Sequence, residues 1–194
     1  MAQSMRVATI AAAVGLLFAL VAPTMAQQEQ QTEQPLKQEK NPPGDIPDNQ
    51  VFITYASPRG FSFKVPEGWA RKDLTDGAVF ADKYGRITVA ETTTPTAPDV
   101  VTAKQTLVPE LEKIARAVAV KKIQAKKLPA GATVLISYDS NSDPSPVTNK
   151  AIRLENDRYY FWKDGRLVML DFSAPAGADN ADQWDMMAKS FHWR

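Results

Sequence analysis

The sequence predicts one α+β domain, and three features carry that expectation. Short runs that alternate apolar and polar residues, bounded by Gly, Pro, Asn and Asp, begin at Val51 and have the period of half-buried strands. After Pro95 the apolar spacing changes to that of a helix. A second amphipathic stretch lies near the C-terminal end, so strands flank one helix and another helix follows the last of them.

Residues 51–56 alternate Val, Ile and Tyr, Ser57-Pro58-Arg59-Gly60 supplies a turn, and residues 61–65 resume the alternation. Pro66-Glu67-Gly68 then delivers Trp69, whose large apolar body is expected to plug the core. Residues 78–82 and 86–93 read as two strands about Lys83-Tyr84-Gly85, with Ile87, Val89 and Glu91 on one face. Beyond Pro95, Asp99 can cap a helix through its carboxylate, and Leu107, Leu111, Ile114 and Val118 recur at i, i+4, i+7 and i+11 as one stripe. Pro109 falls inside that stripe. It removes a donor and crowds the preceding turn, so the helix either kinks or divides with Pro109 in the first turn of its second part.

Residues 119–128 and 132–138 flank Pro129-Ala130-Gly131 as a hairpin, Gly131 admitting a left-handed residue. Residues 141–146 are a loop, 149–154 a strand, and Asn156-Asp157 a tight turn. Residues 158–162 and 166–172 surround Lys163-Asp164-Gly165, and an Asp-Gly pair between β-rich runs is a strong hairpin signal. The last helix starts near Asp179 or Asn180, where Asn180 with Gln183 resembles a capping box. Trp184, Met187, Ala188 and Phe191 form its buried face.

Ahead of the domain, residues 1–26 have the layout of a secretory signal: Arg6, an apolar run over 7–21, and small residues ending at Ala26, with Met5 an equally good start. The run is shorter than the ~20 residues of a bilayer span, so no transmembrane anchor is expected after cleavage. Residues 27–50 are dominated by Gln, Glu, Lys, Pro and Asn and read as a disordered polar arm whose removal should leave the stability of domain 51–194 unchanged. The chain has no cysteine, which excludes lipidation at cysteine, disulfides, thiolate catalysis and cysteine zinc sites. Its 23 Lys and Arg stand against 22 Asp and Glu. Such balance gives no electrostatic case for nucleic-acid binding.

The order of these elements and three landmarks resemble the PsbP-like α/β/α sandwich family. The landmarks are Gly60-Phe61-Ser62-Phe63-Lys64-Val65-Pro66-Glu67-Gly68-Trp69, the late Tyr-rich hairpin ending Phe172-Ser173-Ala174-Pro175, and the terminal helix running into Lys189-Ser190-Phe191. The resemblance implies a central antiparallel sheet with helices on both faces, used as a binding or scaffolding module. The fold is shared by photosystem extrinsic subunits, a Ran-binding nuclear import factor and DcrB-type periplasmic lipoproteins, so it does not fix a function. This chain lacks the lipoproteins' cysteine.

Chemistry is sparse. His192 is the sole histidine and sits between Phe191 and Trp193, where packing explains it better than catalysis; no Gly-x-Ser-x-Gly, phosphate-cradling Gly loop or His-Glu-x-x-His motif occurs. Asp139 with Asp143, and Asp179 with Asp182 and Asp185, are the carboxylate groupings, but the first lacks the spacing of a calcium loop and the second suits a helix N-terminus. Lys121, Lys122, Lys126 and Lys127 are the one local excess of positive charge, with Lys113 and Arg116 nearby; they suit an acidic partner or phosphates, or else guard a sheet edge. Within Tyr159-Tyr160-Phe161-Trp162 alternation buries half, and Tyr159 with Phe161 is assigned to an interaction surface alongside the four lysines. No catalytic, cofactor or metal residue is assigned. The expected role is a secreted or periplasmic, non-enzymatic binding or scaffolding module that acts on another envelope protein through a sheet edge or exposed aromatic face. The alternative is a small-molecule or lipid-binding protein with a pocket between sheet and helix. Processing after Ala26 predicts secreted protein beginning at Gln27; an intact mass that retains residues 1–26 would contradict it.

Overall fold

The computed structural model describes residues 33–194; the expected signal sequence and the start of the arm lie outside the described residues. Among the described residues ten strands form two antiparallel sheets. In the smaller, β1 (Phe52–Ser57) pairs with β2 (Phe61–Pro66), and the two-residue β10 (His192–Trp193) lies on the far side of β2. The larger has seven strands in the order β3-β4-β5-β9-β8-β7-β6, from β3 (Ala70–Asp73), β4 (Gly77–Ala81) and β5 (Arg86–Thr93) through β9 (Arg166–Pro175), β8 (Arg153–Lys163) and β7 (Gly131–Asn141) to the edge strand β6 (Arg116–Leu128). The predicted hairpins form with the turns the sequence demands: Asp164 and Gly165 take φ of 50° and 81°, the left-handed pair of a type I′ turn.

Period-two alternation in the central strands sorts side chains between two cores. On one face Val134, Ile136, Tyr138, Tyr160 and Leu167 meet Ala103, Leu107 and Leu111. These belong to the helical segment that starts as α1 (Val100–Thr102), widens into a π-helical turn (Ala103–Leu107) and continues as α2 (Val108–Ile114). Asp99 caps it as expected, its Oδ1 accepting from the Thr102 N–H at 2.7 Å. The widened turn just ahead of Pro109 accommodates the missing donor without ending the helix. The stripe, however, stops short of its predicted length. Ala115 turns extended, leaving Ile114 75% exposed and placing Val118 in β6.

On the other face, Leu135, Tyr159, Phe161, Val168, Leu170 and Phe172 pack against Tyr55, Phe61, Phe63 and Val65 of the small sheet and against Trp184, Met187 and Ala188 of α3 (Ala181–Lys189). The layer here is therefore largely a second sheet, and strand predominates over helix in the domain. A simple sandwich with a helical layer on each face does not describe it. Three further local expectations are corrected. β8 runs without a turn through Asn156 and Asp157, because the Asn156 side chain is buried and donates to Tyr138 O and Ser140 Oγ. Trp69 is only half-buried, lying over Gly85, where a Cβ would come within 2.5 Å of its Cη2. Between it and β4, the unpredicted β3 carries four exposed residues that give no alternation to read.

The described part of the arm, 33–50, lies against the domain through named hydrogen bonds, where composition alone predicts a segment without such partners. Glu33 accepts from the Arg116 guanidinium at 2.7 and 3.0 Å and from Asn141 Nδ2 at 2.8 Å; Asn141 Oδ1 accepts from Leu36 N–H at 3.0 Å. Further along, Asn180 Oδ1 accepts from Ile46 N–H at 2.6 Å, its Nδ2 donates to Gly44 O at 3.0 Å, and Gln183 Nε2 donates to Ile46 O at 3.3 Å. The side chains of the predicted capping box thus hold the arm, and Asn180 makes no cap hydrogen bond to α3. One apolar residue, Ile46, enters the core at 5% exposure. Satisfied backbone groups, not apolar area, anchor the rest. Ile46→Ala should cost about 2–4 kcal/mol, as buried aliphatic truncations do, and removal of residues 27–49 should lower the denaturation midpoint clearly; an unchanged midpoint in urea would show that the arm is not docked in solution.

Candidate functional site

A concave site lies where β7 and β8 pass the start of α3. It encloses about 260 Å³ and is lined by Lys121, Ser137, Asp139, Glu155, Asn156, Asp157 and Trp184, with Ala178 and Ala181 leading into the helix. Pairing sets its chemistry: Asp139 stands opposite Glu155, and Ser137 opposite Asp157. Glu155 and Asp157 are two apart on β8, so their carboxylates share the face that carries Tyr159 and Phe161. Three carboxylates consequently converge, two of them directly cross-strand, where like charges repel.

Lys121 is the one cation in the lining, and its Nζ lies 2.7 Å from Asp139 Oδ1. Ser137 Oγ donates to Asp157 Oδ1 at 2.5 Å. These partners do not offset burial: desolvation pushes the Glu155 carboxyl above its ordinary range, a backbone hydrogen bond from Gly177 and the charge of Lys121 opposing only in part. Burial likewise raises Asp157, against the Ser137 hydrogen bond. Beside the pocket Asp185 behaves oppositely. Burial alone would raise it, but hydrogen bonds from Lys189 and Lys126 hold it below the usual carboxylate range.

The structure separates the residues assigned to an interaction surface from sequence. Tyr159 and Phe161 are each 1% exposed and lie in the core between the sheets, because this face of β8 is covered by α3 and the small sheet. They form no surface. Lys121 and Lys126 point to the α3 side with acid partners, Lys126 Nζ lying 3.1 Å from Asp185 and 5.4 Å from the Tyr159 ring centre. Lys122 and Lys127 are exposed on the edge strand; their registers opposite Ser137 and Ala132 place them on opposite faces. Asp143 is exposed, 3.9 Å from Arg116, and is not brought to Asp139's pocket. Asp179 and Asp182 sit at the start of α3.

Sequence reading missed Glu155 and Asp157. Their spacing of two, continued by Tyr159 and Phe161, was the available signal, and it was masked by taking Asn156-Asp157 for a turn. In chemical terms the site can hold a cation. Ser137 has a carboxylate partner but no histidine: His192 is on β10 of the other sheet, exposed, its Nδ1 2.6 Å from Ser190 O. Among the described residues, no group of three His, Cys, Asp or Glu is placed to hold a metal ion, and no helix is long and apolar enough to cross a membrane.

This architecture, a seven-stranded antiparallel sheet with the small sheet and α3 on one face, is the PsbP-like fold. The chain is similar to cyanobacterial PsbP (CyanoP) from Synechocystis, with a TM-score of 0.54 at 16% identity over 78% of this chain and 98% of that one. It is also similar to the Ran-binding protein Mog1p of Saccharomyces cerevisiae, with a TM-score of 0.51 at 12% identity over 75% of this chain and 96% of that one. No protein-family model matches the sequence, and no curated protein matches it. At these identities the likeness establishes the fold.

The raised carboxyls set a pH dependence. A carboxyl whose folded pKa exceeds its unfolded value of about 4 contributes stability that is fully present below that pH and is lost as pH rises through the folded pKa. Asp157→Asn removes one such group and keeps an oxygen to accept from Ser137. The variant should therefore match the wild type in stability near about pH 3 and exceed it increasingly toward neutrality; denaturant midpoints across pH are the measurement, and a variant less stable at pH 7 would contradict the assignment.

Proposed function

We propose that this chain is a secreted or periplasmic binding module, without catalytic activity, that receives a positively charged group of another envelope protein in the pocket beside α3. The observation that carries the reading is the pair Glu155 and Asp157, carboxylates pushed up by burial with only Lys121 as a lining cation. Ionised groups held at a cost to stability concentrate at functional sites, and an incoming ammonium or guanidinium would offset their desolvation with charge-assisted hydrogen bonds. Mog1p is a Ran-binding protein, so protein binding is a use to which this fold is put. The absence of a nucleophile paired with a base around Ser137, the sole histidine lying elsewhere, supports binding over catalysis.

A second reading rests on the pocket's position between sheet and helix: a free small amine as ligand. Its volume of about 260 Å³ is at the small end for ligand sites, and its acidic lining speaks against a lipid tail. Capture from envelope extract with immobilised wild type and with a Glu155→Gln, Asp157→Asn double variant tests the proposal. A protein retained by the wild type should be depleted at least about tenfold on the variant, equivalent to a loss near 1.4 kcal/mol. Equal retention by both, or none by the wild type, would overturn it. A wild-type melting shift with a small alkylamine, absent in the variant, would favour the second reading.

A further inference from the structure

Among the described residues four strand edges end the two sheets: β3 and β6 in the larger, β1 and β10 in the smaller. An unpaired edge is a template for another strand, and proteins blunt it with charge, bulges, brevity or cover. β6 carries Lys121, Lys122, Lys126 and Lys127 and two register irregularities. β3 has four residues and is charged at Arg71, Lys72 and Asp73. β10 is two residues long. β1 alone carries none of these devices. Its six residues, Phe-Ile-Thr-Tyr-Ala-Ser, contain no charge and pair with β2 in unbroken register, and Val51 and Ile53 beside and within it are 58% and 47% exposed.

The backbone along that edge is also open. Val51 O accepts from Glu67 N and Ser57 O from Gly60 N, so residues 51, 53, 55 and 57 direct their backbone groups toward β2. By alternation Phe52, Thr54 and Ala56 direct theirs outward, and among the described residues no hydrogen bond outside the β1–β2 ladder reaches them. Thr54 and Ala56 are exposed and Phe52 half-exposed.

We propose that this edge is a self-association site, where a second copy of the chain pairs its own β1 antiparallel about Thr54. The choice of a second copy follows from charge. An antiparallel β1 pair sets Thr54 against Thr54 and Phe52 against Ala56, uncharged throughout, whereas β3 offers only four residues, three of them charged, and β6 paired with itself brings lysines together. The arrangement is isologous and closes as a two-fold dimer. It forms about six backbone hydrogen bonds and adds a Thr–Thr cross-strand pair. The site is independent of the acidic pocket, which lies on the larger sheet.

Light scattering on purified protein chromatographed from low micromolar to the highest soluble concentration tests the proposal without any other partner. The wild type should approach twice the monomer mass. Thr54→Pro removes one outward N–H while sparing the bonds to β2, and Ile53→Lys places like charges beside each other across the two-fold axis; each should weaken the dimer about tenfold or more. Circular dichroism melting at a concentration where the monomer prevails should find Ile53→Lys folded, so that this variant decides the matter if the proline disturbs β1. A wild type that stays monomeric throughout, or a dimer that survives both substitutions, overturns the proposal. Partner capture through the pocket can fail or succeed without altering either outcome.

Discussion

The Phe191 ring lies 4.1 Å from that of Phe161 and 5.6 Å from that of Phe61, stacked on both. Those two rings belong to different sheets, so a residue after the last helix bonds the small sheet to the large one. The layer continues through Tyr159 and Phe172 to Trp184 of α3, with Phe172 and Trp184 stacked at 6.0 Å, and through Tyr55, Phe63 and Phe80 at the other end. Each such pair contributes about 0.5–1.5 kcal/mol beyond the area it buries. The three-stranded sheet could not stand alone, being two full strands and a two-residue third; it persists because its inner face is part of this layer. Around the rim a polar clamp fixes the angle. Glu91 of β5 accepts from Arg166 at 2.8 and 3.1 Å and from Arg59 at 3.1 Å, Arg166 also donates to Arg59 O, and its guanidinium lies 5.0 Å over the Trp193 ring. The Glu91 carboxyl is held below its ordinary range, first by the Arg166 hydrogen bond, as a satisfied structural charge should be.

Much of this frame was legible because turn chemistry and period-two alternation are local. Pro129-Ala130-Gly131, Asp164-Gly165 and Ser57-Pro58-Arg59-Gly60 all mark observed hairpins, and Trp184, Met187, Ala188 and Phe191 are all buried. What escaped reading depends on partners distant in sequence. The docking of 33–50 uses Arg116, Asn141 and Asn180, between 83 and 136 residues away, and polar composition alone cannot report that these donors and acceptors wait for it. Ile114 has helical spacing but falls where the chain has turned to become β6. Tyr159 and Phe161 were correctly sensed as one face of β8, and the face was misjudged as open because the small sheet that covers it arrives from the far N-terminal side of the domain. The same long-range cause hid the site. Glu155 and Asp157 acquire meaning only when Asp139 of β7 is set beside them and α3 closes over the top.

How the fold treats its other buried charges gives the pocket its interest. On the α1–α2 face, Arg158 of β8 meets Asp171 of β9 in a two-bond fork at 3.0 and 2.9 Å, and Tyr138 OH donates to the same carboxylate at 3.1 Å. Every charge there has a geometrically matched partner, which is what a buried ion pair requires to repay its desolvation. One residue earlier on the same strand, Asp157 faces the opposite way with a serine, and Glu155 beyond it with a lysine that already serves Asp139. The strand therefore carries both solutions within four residues: full pairing where the packing of the sheet demands it, and deficit where a pocket opens. The fold needs the first, since Arg158 and Asp171 lie between the sheet and its helix; nothing in the packing needs the second. The proposed binding of a positively charged group would act at this deficit, on carboxylates that lie apart from the ion pair of the helical face and from the ring stacking between the sheets.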